Sequence, residues 1–123
     1  MKEAYCSYEI AKLLKRKGFE QHKCQHSYDS QGKFKWSDDL DPYEYAAPTL
    51  QMACAWLREI YNKHCDIGYD IDLKWYFQII DLEETVEYDY PEIKYYHAEN
   101  ETGFNTYEEA VEAALKYSLE NLL

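Results

Sequence analysis

Residues 74–82 (Lys-Trp-Tyr-Phe-Gln-Ile-Ile-Asp-Leu) are apolar at odd and even positions alike. Strand side chains alternate between the two faces of a sheet, so a run of this kind belongs to a central strand with something packed on each side. The chain must therefore supply both neighbouring strands and helices to cover them. Its 123 residues suffice for one domain over residues 1–123, with a core that needs no disulfide or metal.

Three segments carry helical periodicity. Over residues 7–17, Ile10, Leu13 and Leu14 form a stripe behind a Ser7 cap, with Lys15, Arg16 and Lys17 at the end and Gly18 as the stop. Over residues 49–64, Thr49 is the cap and Leu50, Ala53, Cys54, Leu57, Ile60 and Tyr61 recur at helical spacing; Glu59 and Lys63 are placed for an i,i+4 ion pair. The last helix opens on a Thr106/Glu109 capping box. It carries Ala110, Val111, Ala114, Leu115 and Ser118 on one side, and Glu112 and Lys116 as a second i,i+4 pair.

Between these helices the pattern is strand-like. Residues 22–28 and 33–37 predict a hairpin whose three-residue loop, Ser30-Gln31-Gly32, sets Tyr28 opposite Phe34 and His26 opposite Trp36, with Gly32 left-handed. Residues 37–48 read as an acidic loop, residues 65–71 as an alternating strand, residues 86–90 as an exposed strand and residues 93–97 as a short edge. The expected fold is α+β: a mostly antiparallel sheet of about five strands with three helices on one face, in the order αββ-αβββ-α.

Charge limits the function. The formal net charge is −11, unevenly spread: residues 1–36 hold eight Lys/Arg against four Asp/Glu (+4), and residues 37–123 hold five against 20 (−15). Such a balance disfavours nucleic-acid binding and suits either plain solubility or docking on a basic protein. The start of the chain, Met1-Lys2-Glu3-Ala4, lacks the apolar run of a signal peptide, and no run is long enough to span a membrane, so a cytoplasmic location without membrane contact is expected. Cys6, Cys24, Cys54 and Cys65 match no disulfide framework and are expected to be reduced.

Residues 5–19 (YCSYEIAKLLKRKGF), residues 47–53 (APTLQMA) with Trp56-Leu57-Arg58-Glu59, and residues 107–117 (YEEAVEAALKY) together resemble a group of small α+β proteins of gut bacteria, their phages and mobile elements. The resemblance covers most of the chain. It implies a phage or mobile-element setting in a host cytosol; the group has no established activity, and the resemblance brings no site residues.

Candidate chemistry is sparse. His22, Cys24 and His26 would share one strand face and are donors that zinc accepts, with His64 or Cys65 as a fourth, but the spacing is not that of a structural zinc site. Packing against Trp36 explains the same face. Cys6 precedes a helix N-terminus, where a thiolate is stabilised, whereas Cys54 and Cys65 fall on apolar faces. Asp66, Asp70 and Asp72, and the loop acids Asp38, Asp39 and Asp41, read as solvated carboxylates. Lys12, Lys15, Arg16 and Lys17 could touch a phosphate but also suit a solvated helix end. Tyr88, Tyr90, Tyr95 and Tyr96, interleaved with Glu87, Asp89 and Glu92, have the make-up of a protein-binding surface. The expectation is a non-enzymatic protein-interaction domain without cofactor, binding a basic host protein or itself; the alternative is a small metal or thiol enzyme using His22, Cys24 and His26.

Overall fold

The computed structural model describes residues 4–36, 42–70, 73–82, 94–96 and 102–123. Three α-helices are present: α1 (Tyr8–Arg16), α2 (Leu50–Tyr61) and α3 (Tyr107–Asn121). Each starts where a hydroxyl caps it: Ser7, Thr49 and Thr106 accept from the backbone N–H groups of Ile10, Met52 and Glu109. The end of α1 is also as expected. Gly18 is left-handed (φ +98°), and the Phe19 N–H donates to the Leu14 carbonyl at 2.9 Å, which returns the Phe19 ring to the core. None of the described helices is long and apolar enough to cross a membrane.

The strands form two antiparallel sheets rather than the single five-stranded sheet expected. The first has the order β2-β1-β3, with β1 at His26–Tyr28, β2 at Phe34–Trp36 and β3 at Tyr45–Ala46. The second centres on β5 (Trp75–Asp81), with β4 (Lys63–Tyr69) along one edge. Its other edge is shared by β6 (Lys94–Tyr96), opposite Ile79 to Asp81, and β7 (Thr102–Phe104), opposite Trp75 and Tyr76. The sheets separate because the hairpin takes Tyr45 and Ala46 as its third strand, inside the stretch read as a loop. Residues 86–90, the expected exposed strand, lie outside the described residues.

The expected central strand is central. Phe77 and Ile79 are buried with Cys65, Leu57, Val111 and Leu115, beneath α2 and α3. The alternate positions, Tyr76, Gln78 and Ile80, are half-buried. Gly68 sits opposite Tyr76, and a Cβ there would come within 2.2 Å of the Tyr76 ring, so the glycine makes room for the ring across the strand pair.

Both hairpins turn by the same device. In the first, the Asp29 N–H donates to the Lys33 carbonyl, Asp29 Oδ1 accepts from the Lys33 N–H, and Gly32 is left-handed (φ +83°). In the second, the Asp70 N–H donates to the Lys74 carbonyl, Asp70 Oδ1 accepts from the Lys74 N–H, and the left-handed position is Leu73 (φ +62°). Asp70 is thus a turn residue rather than a member of a solvated strand face. Asp66 likewise accepts from the Gln78 amide at 2.6 Å. Asp38, Asp39, Asp41 and Asp72 lie outside the described residues.

Both expected i,i+4 ion pairs are rerouted. Asn62 adopts a left-handed conformation (φ 56°) and stops α2 at Tyr61, three residues early, which moves Lys63 from the helix to β4. There it pairs with Asp81 rather than Glu59, at 3.4 Å, with both side chains under a tenth exposed. On α3, Glu112 reaches Ser7 and Lys116 reaches Glu9 on α1, so neither joins the other. The basic end of α1 is engaged as well. The Lys15 ammonium donates to the carbonyls of Pro42 and Glu44, Lys12 lies over the Tyr8 ring and the Lys17 ammonium donates to the Leu123 carbonyl oxygen.

Two outcomes follow for stability. A side chain at a left-handed position is strained, and Leu73 is 72% exposed, so little packing is at stake. Leu73→Gly is expected to raise stability by about 0.5–1 kcal/mol, while Gly32→Ala, at the equivalent place and under the Tyr8 ring, lowers it by about 1–2 kcal/mol. Urea titration of the two variants checks the opposite signs. Lys63→Met is expected to cost about 3 kcal/mol, and Lys63→Met/Asp81→Leu to regain most of that loss. A single-variant cost below about 1 kcal/mol would mean that the pair behaves as a solvated one.

Candidate functional site

The residues singled out in the sequence disperse. Gln21–Lys23 form a 3-10 turn and the strand starts only at His26, so the alternation that would align His22, Cys24 and His26 is broken at its first member. Cys24 and His26 line a shallow cleft of about 260 Å³ with Tyr5, Thr49 and Met52, and His22 is not among its lining residues. Among the described residues, no three His, Cys, Asp or Glu side chains gather as a metal ion requires. Tyr88 and Tyr90 lie outside the described residues. Tyr95 and Tyr96 are in β6, in register with Ile80 and Ile79 respectively.

The hairpin forms in the expected register, Tyr28 to Phe34 and His26 to Trp36, and its large groups share a face. That face is a cluster of rings. His26 stacks on Phe34 (centroids 5.1 Å apart, planes at 5°), Trp36 meets His26 edge-on at 5.0 Å, and Tyr5 closes on both His26 and Phe34. Yet Phe34 is 42% and Trp36 59% exposed. Their strand, β2, is outermost in its sheet, and among the described residues no strand pairs with its outer edge. The opposite face is polar and buried: Ser27 donates to Glu44, which also pairs with Lys35.

A second site was hidden by one boundary. Because α2 stops at Asn62, β4 runs back along the helix it has just left. Cys54 lies eight residues before Asn62, about 12 Å of helix, and Cys65 three residues after it, about 10 Å of strand, so the two come level. Arg58 and His64 are level by the same count, and so are Leu50 and Ile67. All six line one cleft of about 460 Å³, closed on its far side by Tyr107 and Val111 of α3. Were α2 to run to His64, Cys54 and Cys65 would be separated along the element by about 12 Å. The sequence signal was therefore the asparagine, read as part of the helix.

Within the cleft the two thiols perturb each other's ionisation. The Cys65 thiol donates to the Cys54 sulfur, which together with the Arg58 charge holds Cys54 below the ordinary cysteine value despite burial. Cys65 is raised by the same bond and by burial. Arg58 Nη1 and His64 Nδ1 approach to 3.5 Å at the rim of the cleft. The fully buried Ser118 hydroxyl has no hydrogen-bond partner among the described residues, and it favours the thiolate of Cys65.

The thiol expected to be activated is instead the inert one. Cys6 is fully buried, and burial, with the nearby Glu112 carboxylate, pushes its thiol up to about 12. Alkylation by iodoacetamide at pH 8 should therefore modify Cys54 and spare Cys6 in the folded protein, with Cys6 reacting once urea unfolds the chain. Peptide mapping distinguishes the two, and early labelling of Cys6 would contradict its burial. No protein-family model matches this chain, and no curated protein or solved structure matches it either, so its function is read from this geometry.

Proposed function

We propose that the chain is a non-enzymatic protein-interaction domain whose contact surface includes the aromatic edge of the first sheet. The observation that carries this reading is the exposure of Phe34 and Trp36 on the outermost strand, where their rings are held by His26 and Tyr5 rather than by the core. Rings fixed by their neighbours lose little freedom when covered, and aromatic groups contribute most at the centre of an interface. The outer edge of β2, unpaired among the described residues, offers backbone groups to an added strand. The surplus of acids over residues 37–123 suits a partner with a basic surface, and a phage or mobile-element origin would place that partner among host proteins.

A paired comparison tests this. Wild type and Phe34→Ala/Trp36→Ala are used as bait in host lysate at low and moderate salt, and each is run alone in sedimentation velocity. The expected result is a protein retained by wild type at low salt, released at higher salt and absent from the double variant, or a wild-type dimer that the variant loses. Truncating an interface anchor of this kind costs about 2 kcal/mol or more, which is at least roughly a thirtyfold loss of affinity. Identical recoveries and identical monomeric sedimentation would overturn the reading.

A further inference from the structure

We propose that Cys54 and Cys65 form a thiol–disulfide exchange site that accepts small anionic disulfides. The site is independent of the aromatic edge. Cys54 and Cys65 both line the α2–β4 cleft, level with each other on helix and strand; Cys54 is partly exposed and Cys65 is buried, so an incoming disulfide meets Cys54 first. The preference for an anion comes from the lining. Asp and Glu supply 24 of the 123 residues, yet none of the described lining residues is acidic, and Arg58 and the Gln51 amide stand exposed among them.

Two exchanges balance the reaction. The Cys54 thiolate attacks one sulfur of the substrate disulfide; the Cys54–substrate S–S bond forms, the substrate S–S bond breaks, and the first thiolate leaves and takes a proton from water. Cys65 then attacks the Cys54 sulfur, its proton passing to the departing second thiolate. The substrate disulfide is reduced to two thiols, and Cys54 and Cys65 are oxidised to one disulfide. The Ser118 hydroxyl, which has no hydrogen-bond partner among the described residues, stabilises the negative charge on Cys65 during the second attack. The charged and titratable groups facing Cys54 are Arg58 on its own helix, Cys65 and His64 on β4, and Tyr107 and Glu112 on α3. Glu112 opposes ionisation, while Arg58 and the Cys65 thiol favour it.

Reduced protein is mixed with oxidised glutathione, which is anionic, or with cystamine, which is cationic, and followed by intact mass and peptide mapping. Wild type is expected to gain a Cys54–Cys65 disulfide without a retained glutathione. Cys65→Ser should stop at one glutathione on Cys54, and Cys54→Ser should gain none at Cys65. Glutathione should react about tenfold faster than cystamine at physiological ionic strength, where the net charge of −11 is screened beyond about 8 Å, and Arg58→Gln should erase most of that difference. The rate should rise with pH as Cys54 ionises and level off below the ordinary cysteine value. Mapping of wild type keeps the test valid if a serine variant misfolds. A disulfide at other cysteines, or reaction only in urea, would overturn the exchange site, and equal rates for the two reagents would overturn the anionic preference.

Discussion

The two sheets share no hydrogen bonds between their described strands, so their relative placement depends on what joins them. The Glu112 carboxylate of α3 accepts from both the Ser7 N–H, at 2.7 Å, and the Ser7 hydroxyl, at 3.0 Å, while that hydroxyl oxygen caps α1. One side chain thus satisfies the start of one helix from the middle of another, 105 residues away. Helix α3 lies on the second sheet and α1 on β3 of the first, so this contact fixes one layer against the other. Burial raises the Glu112 pKa even though both Ser7 bonds lower it. Because the folded state holds that proton more tightly, the associated stability is full below about 4.5 and declines as pH rises through the folded value. The joint is therefore chosen for position as much as for strength.

Tyrosine supplies the other long-range ties. The Tyr28 hydroxyl donates to the Cys6 carbonyl at 2.6 Å, Tyr61 to the Lys17 carbonyl at 2.7 Å and Tyr8 to the Ser30 carbonyl at 3.2 Å. In each case the ring packs and the phenol satisfies a backbone oxygen in another segment: the helix approach, the end of α1 or the hairpin loop. Phenylalanine in these places would leave the carbonyls without those donors, which gives a physical reason for 14 tyrosines against four phenylalanines.

What was legible in the sequence was local. A hydroxyl three residues before a backbone N–H, a glycine after a helix and a three-residue hairpin loop each act within a few residues, and Ser7, Thr49, Thr106, Gly18 and the Tyr28–Phe34 register are found as expected. What was not legible depended on polar residues acting at a distance. Glu44 looked like part of an acidic loop, but it is buried against Ser27 and Lys35 beside a strand only two residues long. Asn62 looked helical, because nothing adjacent forbids it; the left-handed turn is favoured by the return of β4 onto α2. That single residue decides which side chains of helix and strand face each other, so misplacing it concealed the thiol pair.

Charge is organised by the same logic. Lys15, Lys17, Lys63 and Lys116 are held by carbonyls or carboxylates within the chain, and Lys12 lies on a ring. Most of the acid excess lies in residues 37–123, the segment that also supplies the cleft's α2, β4 and α3. In physiological salt, exposed charges more than about 8 Å apart are largely screened from each other, so at any one opening a few nearby groups outweigh the overall charge of −11. At the mouth of the α2–β4 cleft the polar lining groups include Arg58, Gln51 and His64, with Glu112 acting on Cys54 from α3. On the two proposals, a basic protein and a small anion meet different parts of a mostly acidic molecule, and the two are compatible because each contact is decided by the charges within a screening length of it.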